Sequence, residues 1–150
     1  MNVLKVHSVW DANVRAFHWI NFVCILGLVA IGVVILNDTA LGVSNDGKIL
    51  LKTVHVWIGH VFALNLLWRL VWAFVGGVHA RWRAILPGGR GFFRETASYI
   101  ADVRSGRPRQ YLGHNPLGRM AVTLLLLLLL VQAGTGLVLA STDLFFPPFG

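Results

Sequence analysis

The chain has 150 residues, 56% of them apolar and only 13% charged, roughly half the charged share of a soluble domain. That balance excludes a water-soluble fold and points to lipid as the solvent. The net charge of +7 does not mark a nucleic-acid binder, because the basic residues gather in one connection instead of covering a surface.

Residues 1 to 14 form a short entry of mixed polarity containing Lys5, His7 and Trp10. An apolar window then runs from about Phe17 to Leu36, long enough to cross the hydrocarbon core as a helix. A cleaved signal peptide is the rival reading of this window. The run exceeds a usual signal core, no small-x-small site closes it, and it carries His18 and Asn21, which a disposable segment does not need. Cys24 is the only cysteine, so internal disulfides, cysteine-ligated iron–sulfur clusters and covalent haem attachment are excluded. It reads as a small packing residue.

The following connection holds Asn37-Asp38 and Ser44-Asn45-Asp46-Gly47, turn-forming clusters that predict an antiparallel helical hairpin. The second window spans Val54 to Val75 and the third Met120 to Ala140; like the first, neither contains proline. Leu124 to Leu130 is an unbroken leucine run suited to lipid contact. Tryptophans at 10, 19, 57, 72 and 82 mark the membrane interfaces.

Between the second and third windows, the connection 76–116 carries Arg81, Arg83, Arg90, Arg94, Arg104, Arg107 and Arg109 against Glu95 and Asp102. The positive-inside rule places it in the cytoplasm, with the N-terminus on the same side. Within it, residues 92–103 repeat apolar side chains at helical spacing. That predicts a short helix, read equally well as lying on the membrane surface or as packing on the protein. The whole chain reads as one all-α membrane domain.

Histidines inside the windows carry the chemistry, since an ionisable group at membrane depth is costly. His18 opens the first window and His55 the second, so in an antiparallel pair they lie near opposite faces, about 20 Å apart. One haem iron cannot be bridged by both; if both are ligands, two b-type haems are required. His60, five residues after His55, points about 140° away and reads as a hydrogen-bonded histidine or, as the weaker alternative, a ligand. Gly59 leaves room for a flat macrocycle on nearly the face of His55.

Positions fourteen residues beyond each proposed ligand return to its face, and these are Gly32 after His18 and Arg69 after His55. Gly32 would let the His55-side haem approach the first helix. Arg69 would reach the His18-side haem and pair a propionate, and Arg15, a turn before His18, could serve the same group or snorkel to head groups. His7, His79 and His114 read as solvent-side or turn residues. A non-redox membrane anchor and a His55–His60 ion relay remain open readings of these residues.

Arg15-x-x-His18-Trp19, His55-x-x-x-Gly59, Trp68-Arg69-x-x-Trp72 through Gly76, and Ala80-Arg81-Trp82 resemble the cytochrome b subunits of membrane-bound nickel–iron hydrogenases. Leu112-Gly-His-Asn-Pro-Leu-Gly118 is similar to the stand-alone and c-type-cytochrome-linked branch of that group, within the bacterial cytochromes b561. The resemblance implies a four-helix bundle with two bis-histidine haems b, with His18 and His55 as the ligands of the first two helices. It further implies electron exchange between quinone and a c-type cytochrome or other periplasmic oxidoreductase subunit at the bacterial inner membrane, with self-association left open. The other two ligands would come from a fourth helix, which the residues up to Gly150 lack; continuation of the chain is the expectation, a ligand-donating partner the alternative.

Overall fold

The computed structural model describes residues 10–107, 109–145 and 147–148. His7 and Lys5 lie outside them. The described residues form five helices and no strand: α1 (Ala12–Leu36), α2 (Asn45–Val75), α3 (Trp82–Ile85), α4 (Phe92–Arg104) and α5 (Pro116–Leu144). Helices α1, α2 and α5 are long and apolar enough to cross a membrane.

Each long helix starts where a side chain satisfies its first free N–H groups. Asp11 caps α1, its Oδ1 accepting from the Val14 N–H at 2.8 Å. Asn115 caps α5 through Gly118 N–H at 2.7 Å, and Pro116 takes the next position, where its missing N–H costs nothing. Ser44 does the same for α2, its Oγ accepting from Gly47 N–H at 3.2 Å. The Ser44–Gly47 cluster is therefore not a free turn as its composition suggested. Three of its four residues form the first turn of α2, which begins nine residues before the apolar window at Val54. His55 consequently lies about three turns into its helix and His18 in the second turn of α1, both deeper along their helices than the windows alone implied.

The chain divides into two compact units that share these helices. Unit 1 comprises Met1–Arg15 and Val71–Leu127. Its core is Val14, Ala73, Ala80, Ile85, Phe92, Thr96 and Leu126, with Ile85 wholly enclosed. Asp11 Oδ2 accepts from Trp72 Nε1–H at 3.0 Å, tying the start of α1 to the end of α2. Arg81 Nε donates to Gly76 O at 2.9 Å, satisfying a carbonyl where α2 ends. Arg119 sits with its guanidinium 5.3 Å from the Phe92 ring centre and donates to the carbonyls of Arg83 and Leu86.

Helix α4 resolves the two readings of residues 92–103 only partly. Its Phe92 and Thr96 are buried, and Tyr99 accepts from Asn115 Nδ2 at 2.8 Å, so one stripe packs within unit 1. Phe93, by contrast, is 82% exposed, and Val103 and the arginines 94 and 104 are exposed with it. Residues 92, 96, 99 and 103 thus form one stripe, packed over its first turns and open at Val103, with Phe93 exposed beside it.

Unit 2 comprises Ala16–Leu70 and Leu128–Gly150 and packs α1, α2 and α5 around Phe17, Asn21, Cys24, Phe62, Asn65, Leu66, Arg69 and Ala140. Leucines 124, 125, 127 and 128 are exposed while Leu126 is buried, which leaves most of the leucine run facing outward, the behaviour expected in lipid.

Candidate functional site

The register of α1 against α2 in unit 2 is set by three contacts. Asn65 Nδ2 donates to Phe17 O at 3.1 Å. A Cβ placed on Gly27 would lie 3.4 Å from Ile58 Cδ1, and one placed on Gly32 would lie 3.6 Å from His55 Cε1. The helices therefore run antiparallel, and His55 is brought to Gly32. At the other end the Arg69 guanidinium stands 5.9 Å from the ring centre of Phe17, whose ring in turn lies 5.5 Å from that of His18. Each position fourteen residues from one histidine thus lands beside the other histidine. Fourteen residues of helix span about 21 Å, so the two imidazoles occupy separate sites along the membrane normal.

At the His55 end, Gly32, His55, Gln132, Gly136, Ala140 and Asp143 border one cleft. A second cleft against the same imidazole is bordered by Gly59, His60, Gln132 and Gly136. Nothing lies within 4 Å of a Cβ placed on Gly59 or Gly136. His55 Nδ1 is buried without a hydrogen-bond partner, an arrangement that costs free energy unless a further group completes it. A half-buried imidazole whose Nδ1 lacks a partner, beside glycine-walled clefts, fits a flat, iron-bearing macrocycle, and at this end the residues present suit haem.

His60 borders the second cleft but differs from His55 in one respect. Its Nδ1 is 2.8 Å from Val56 O and its Nε2 is 2.8 Å from Pro147 O, so carbonyl groups face both ring nitrogens. Neither nitrogen presents a free lone pair to the cleft in this arrangement.

At the His18 end, the imidazole is exposed on α1 with the Phe17 ring 5.5 Å away. Arg69 is only 5% exposed, and Asn65 and Asn21 are buried on the same α1–α2 seam. Asn21 Oδ1 has no hydrogen-bond partner. Arg15 lies in unit 1, exposed in the first turn of α1. His79 and His114 also belong to unit 1, where His114 stacks edge-on with Trp10 at 4.7 Å and Gly113 abuts His79. Among the described residues no group of three or more His, Cys, Asp or Glu gathers to hold a bare metal ion.

Three polar residues of this region did not stand out in the sequence: Asn65, Gln132 and Lys52. Asn65 and Gln132 were findable as single amides inside otherwise apolar windows. Lys52 lies just before the second window and resembles any interfacial lysine until the cleft beside it is seen.

Unit 2 is a membrane-embedded helical assembly with histidines at two depths, a protein of the cofactor-holding class. Over residues 9–149 the chain matches the family described as prokaryotic cytochrome b561. The chain belongs to that family and is a b-type cytochrome. It is 36% identical over 143 residues to a probable Ni/Fe-hydrogenase B-type cytochrome subunit of Rhizobium leguminosarum bv. viciae, covering 89% of this chain and 59% of that one. A protein of the same description in Cupriavidus necator and a probable Ni/Fe-hydrogenase 1 B-type cytochrome subunit of Escherichia coli K12 are each 31% identical, with 79% and 95% of this chain and 52% and 65% of theirs covered. The chain therefore spans between about half and two thirds of the length of these relatives. No solved structure matches it.

Proposed function

We propose that the protein carries electrons across the bacterial inner membrane through two haems b, one of which His18 would hold and the other His55. The observation that supports this most directly is the placement of Gly32 against His55, and of Arg69 over Phe17 next to His18, at the two ends of one antiparallel helix pair. Haem supplies reversible one-electron exchange at its iron. The chain's own part is to present one imidazole at each depth, keep water away with the apolar walls of α1, α2 and α5, and place cations for the haem carboxylates. A second imidazole on each iron would keep it six-coordinate and closed to small ligands. The family resemblance implies that such imidazoles would be supplied by a further helix or by a partner chain. Arg69, and Arg15 a turn before His18, serve the carboxylates of the haem at that end, while Gly32 and Gly59 make room for the other.

The names of the relatives support a nickel–iron hydrogenase as one redox partner; the proposal extends that role to another periplasmic oxidoreductase subunit or a c-type cytochrome and takes membrane quinone as the other partner. The arginine-rich connection and the N-terminus lie in the cytoplasm.

Haem content per polypeptide tests the reading. The full-length protein, purified in detergent, is expected to hold two low-spin haems, and His18→Ala and His55→Ala are each expected to leave one. Retention of both haems in either variant would overturn it.

A further inference from the structure

We infer that Lys52 is the cation that holds a carboxylate of the prosthetic group at the His55 end, giving up its contact with Asp143 to do so. This rests on the proposal that His55 ligates a haem. Lys52 precedes His55 by three residues on α2, and both border the cleft that also contains Gly32, Gln132 and Gly136, with Asp143 of α5 at the same cleft. Lys52 Nζ stands 3.8 Å from Asp143 Oδ2, at the limit of an ion pair, and the two side chains are 37% and 48% exposed. A long, half-hydrated pair of that kind contributes little and is readily exchanged. Lys48, one turn earlier, is already bound to Asp38, which leaves Lys52 as the cation bordering this cleft among the described residues.

The chemistry of the ligand requires such a group. A haem carries two carboxylates, and a carboxylate at the edge of the hydrocarbon is costly without a cation or water beside it. A lysine at this position lays its methylene stem on the apolar cleft wall and brings its ammonium to the polar boundary. Its flexibility allows one carboxylate to replace another, whereas the fork of a buried arginine is preorganised. The two ends then match: Arg69 beside His18, enclosed and fixed, and Lys52 beside His55, hydrated and exchangeable. Asp143 keeps the cleft mouth neutral until the group arrives.

The test is an anaerobic redox titration of the full-length, haem-loaded protein in lipid nanodiscs, followed in the visible haem bands. Removing a cation near one haem favours its oxidised form. In Lys52→Gln the haem that His55→Ala abolishes is therefore expected to titrate at lower potential or to be lost selectively, with the other haem unmoved and Lys52→Arg restoring the parent behaviour. The same shift is expected when Lys52→Gln is made in an Asp143→Asn background. If Lys52 merely holds Asp143, the shift vanishes in that background and the inference is overturned. Unmoved potentials, or equal movement of both haems, overturn it as well. Parent protein that binds no haem would overturn the underlying proposal and this inference together, whereas two intact haems indifferent to Lys52 would overturn this inference alone.

Discussion

Gly32 shows how much one missing side chain can decide. Its Cα faces the His55 imidazole so closely that a Cβ there would sit 3.6 Å from Cε1, an ordinary contact with no room beyond it. Gly32→Ala is therefore expected to keep the full haem complement, and Gly32→Leu to fill the cleft and leave one haem per chain, measured by pyridine haemochrome assay. Asp38 gives a second prediction at this scale, outside the membrane-spanning segments. Hydrogen bonds from the Lys48 ammonium and the Thr39 hydroxyl hold its carboxyl below the usual carboxylate range. A carboxyl with a depressed pKa adds stability above its unfolded pKa and loses it as pH falls through the folded one. Thermal unfolding of the parent and Asp38→Asn should therefore differ at neutral pH and converge below the normal carboxylate range; because the Lys48 ammonium is partly open to solvent, the difference should shrink in high salt.

At the scale of the element, the helix starts depend on single polar side chains. Asn115 serves two purposes: Oδ1 caps α5 and Nδ2 donates to the Tyr99 hydroxyl of α4. Asn115→Ala should cost about 1 kcal/mol for the cap and about 1 kcal/mol more for the lost bond to α4, seen as a lower unfolding temperature in detergent. Asn115→Asp should retain the cap and recover part of the loss. The same logic explains why α2 outruns its apolar window. Windows of hydrophobicity locate what lipid covers, but a serine cap starts the helix wherever its N–H groups are first satisfied. Asn65 and Phe17 add that an amide inside an apolar window can serve to fix register, since its donor must find an acceptor on the facing helix.

For the whole molecule, the distribution of arginines governs topology. Lys/Arg bias around the 76–116 connection predicts that it and the N-terminus share the cytoplasmic side. Cysteines introduced at Arg107 and at Leu41, in a Cys24→Ala background, should react with an impermeant maleimide from opposite sides: Leu41→Cys in spheroplasts, Arg107→Cys in inverted vesicles. The reverse pattern would invert the assigned orientation.

By itself the sequence determined that this is an all-α membrane protein, where its three apolar stretches lie, and that His18 and His55 occupy different depths. Those features are local: composition selects the solvent and a fixed helical pitch converts spacing into height. The resemblance carried by Arg15-x-x-His18 and His55-x-x-x-Gly59 extended the reading to the family, because those motifs pair a residue type with a helical spacing. What only the tertiary structure decided is which residues meet. The fourteen-residue spacing already points Gly32 toward the His55 end, but that Pro147 O reaches His60 Nε2 and that Lys52 and Asp143 share a cleft with His55 depend on how one segment of chain packs against another. Register arises from side-chain packing and hydrogen bonds across the seam, and no periodicity within a single helix encodes it.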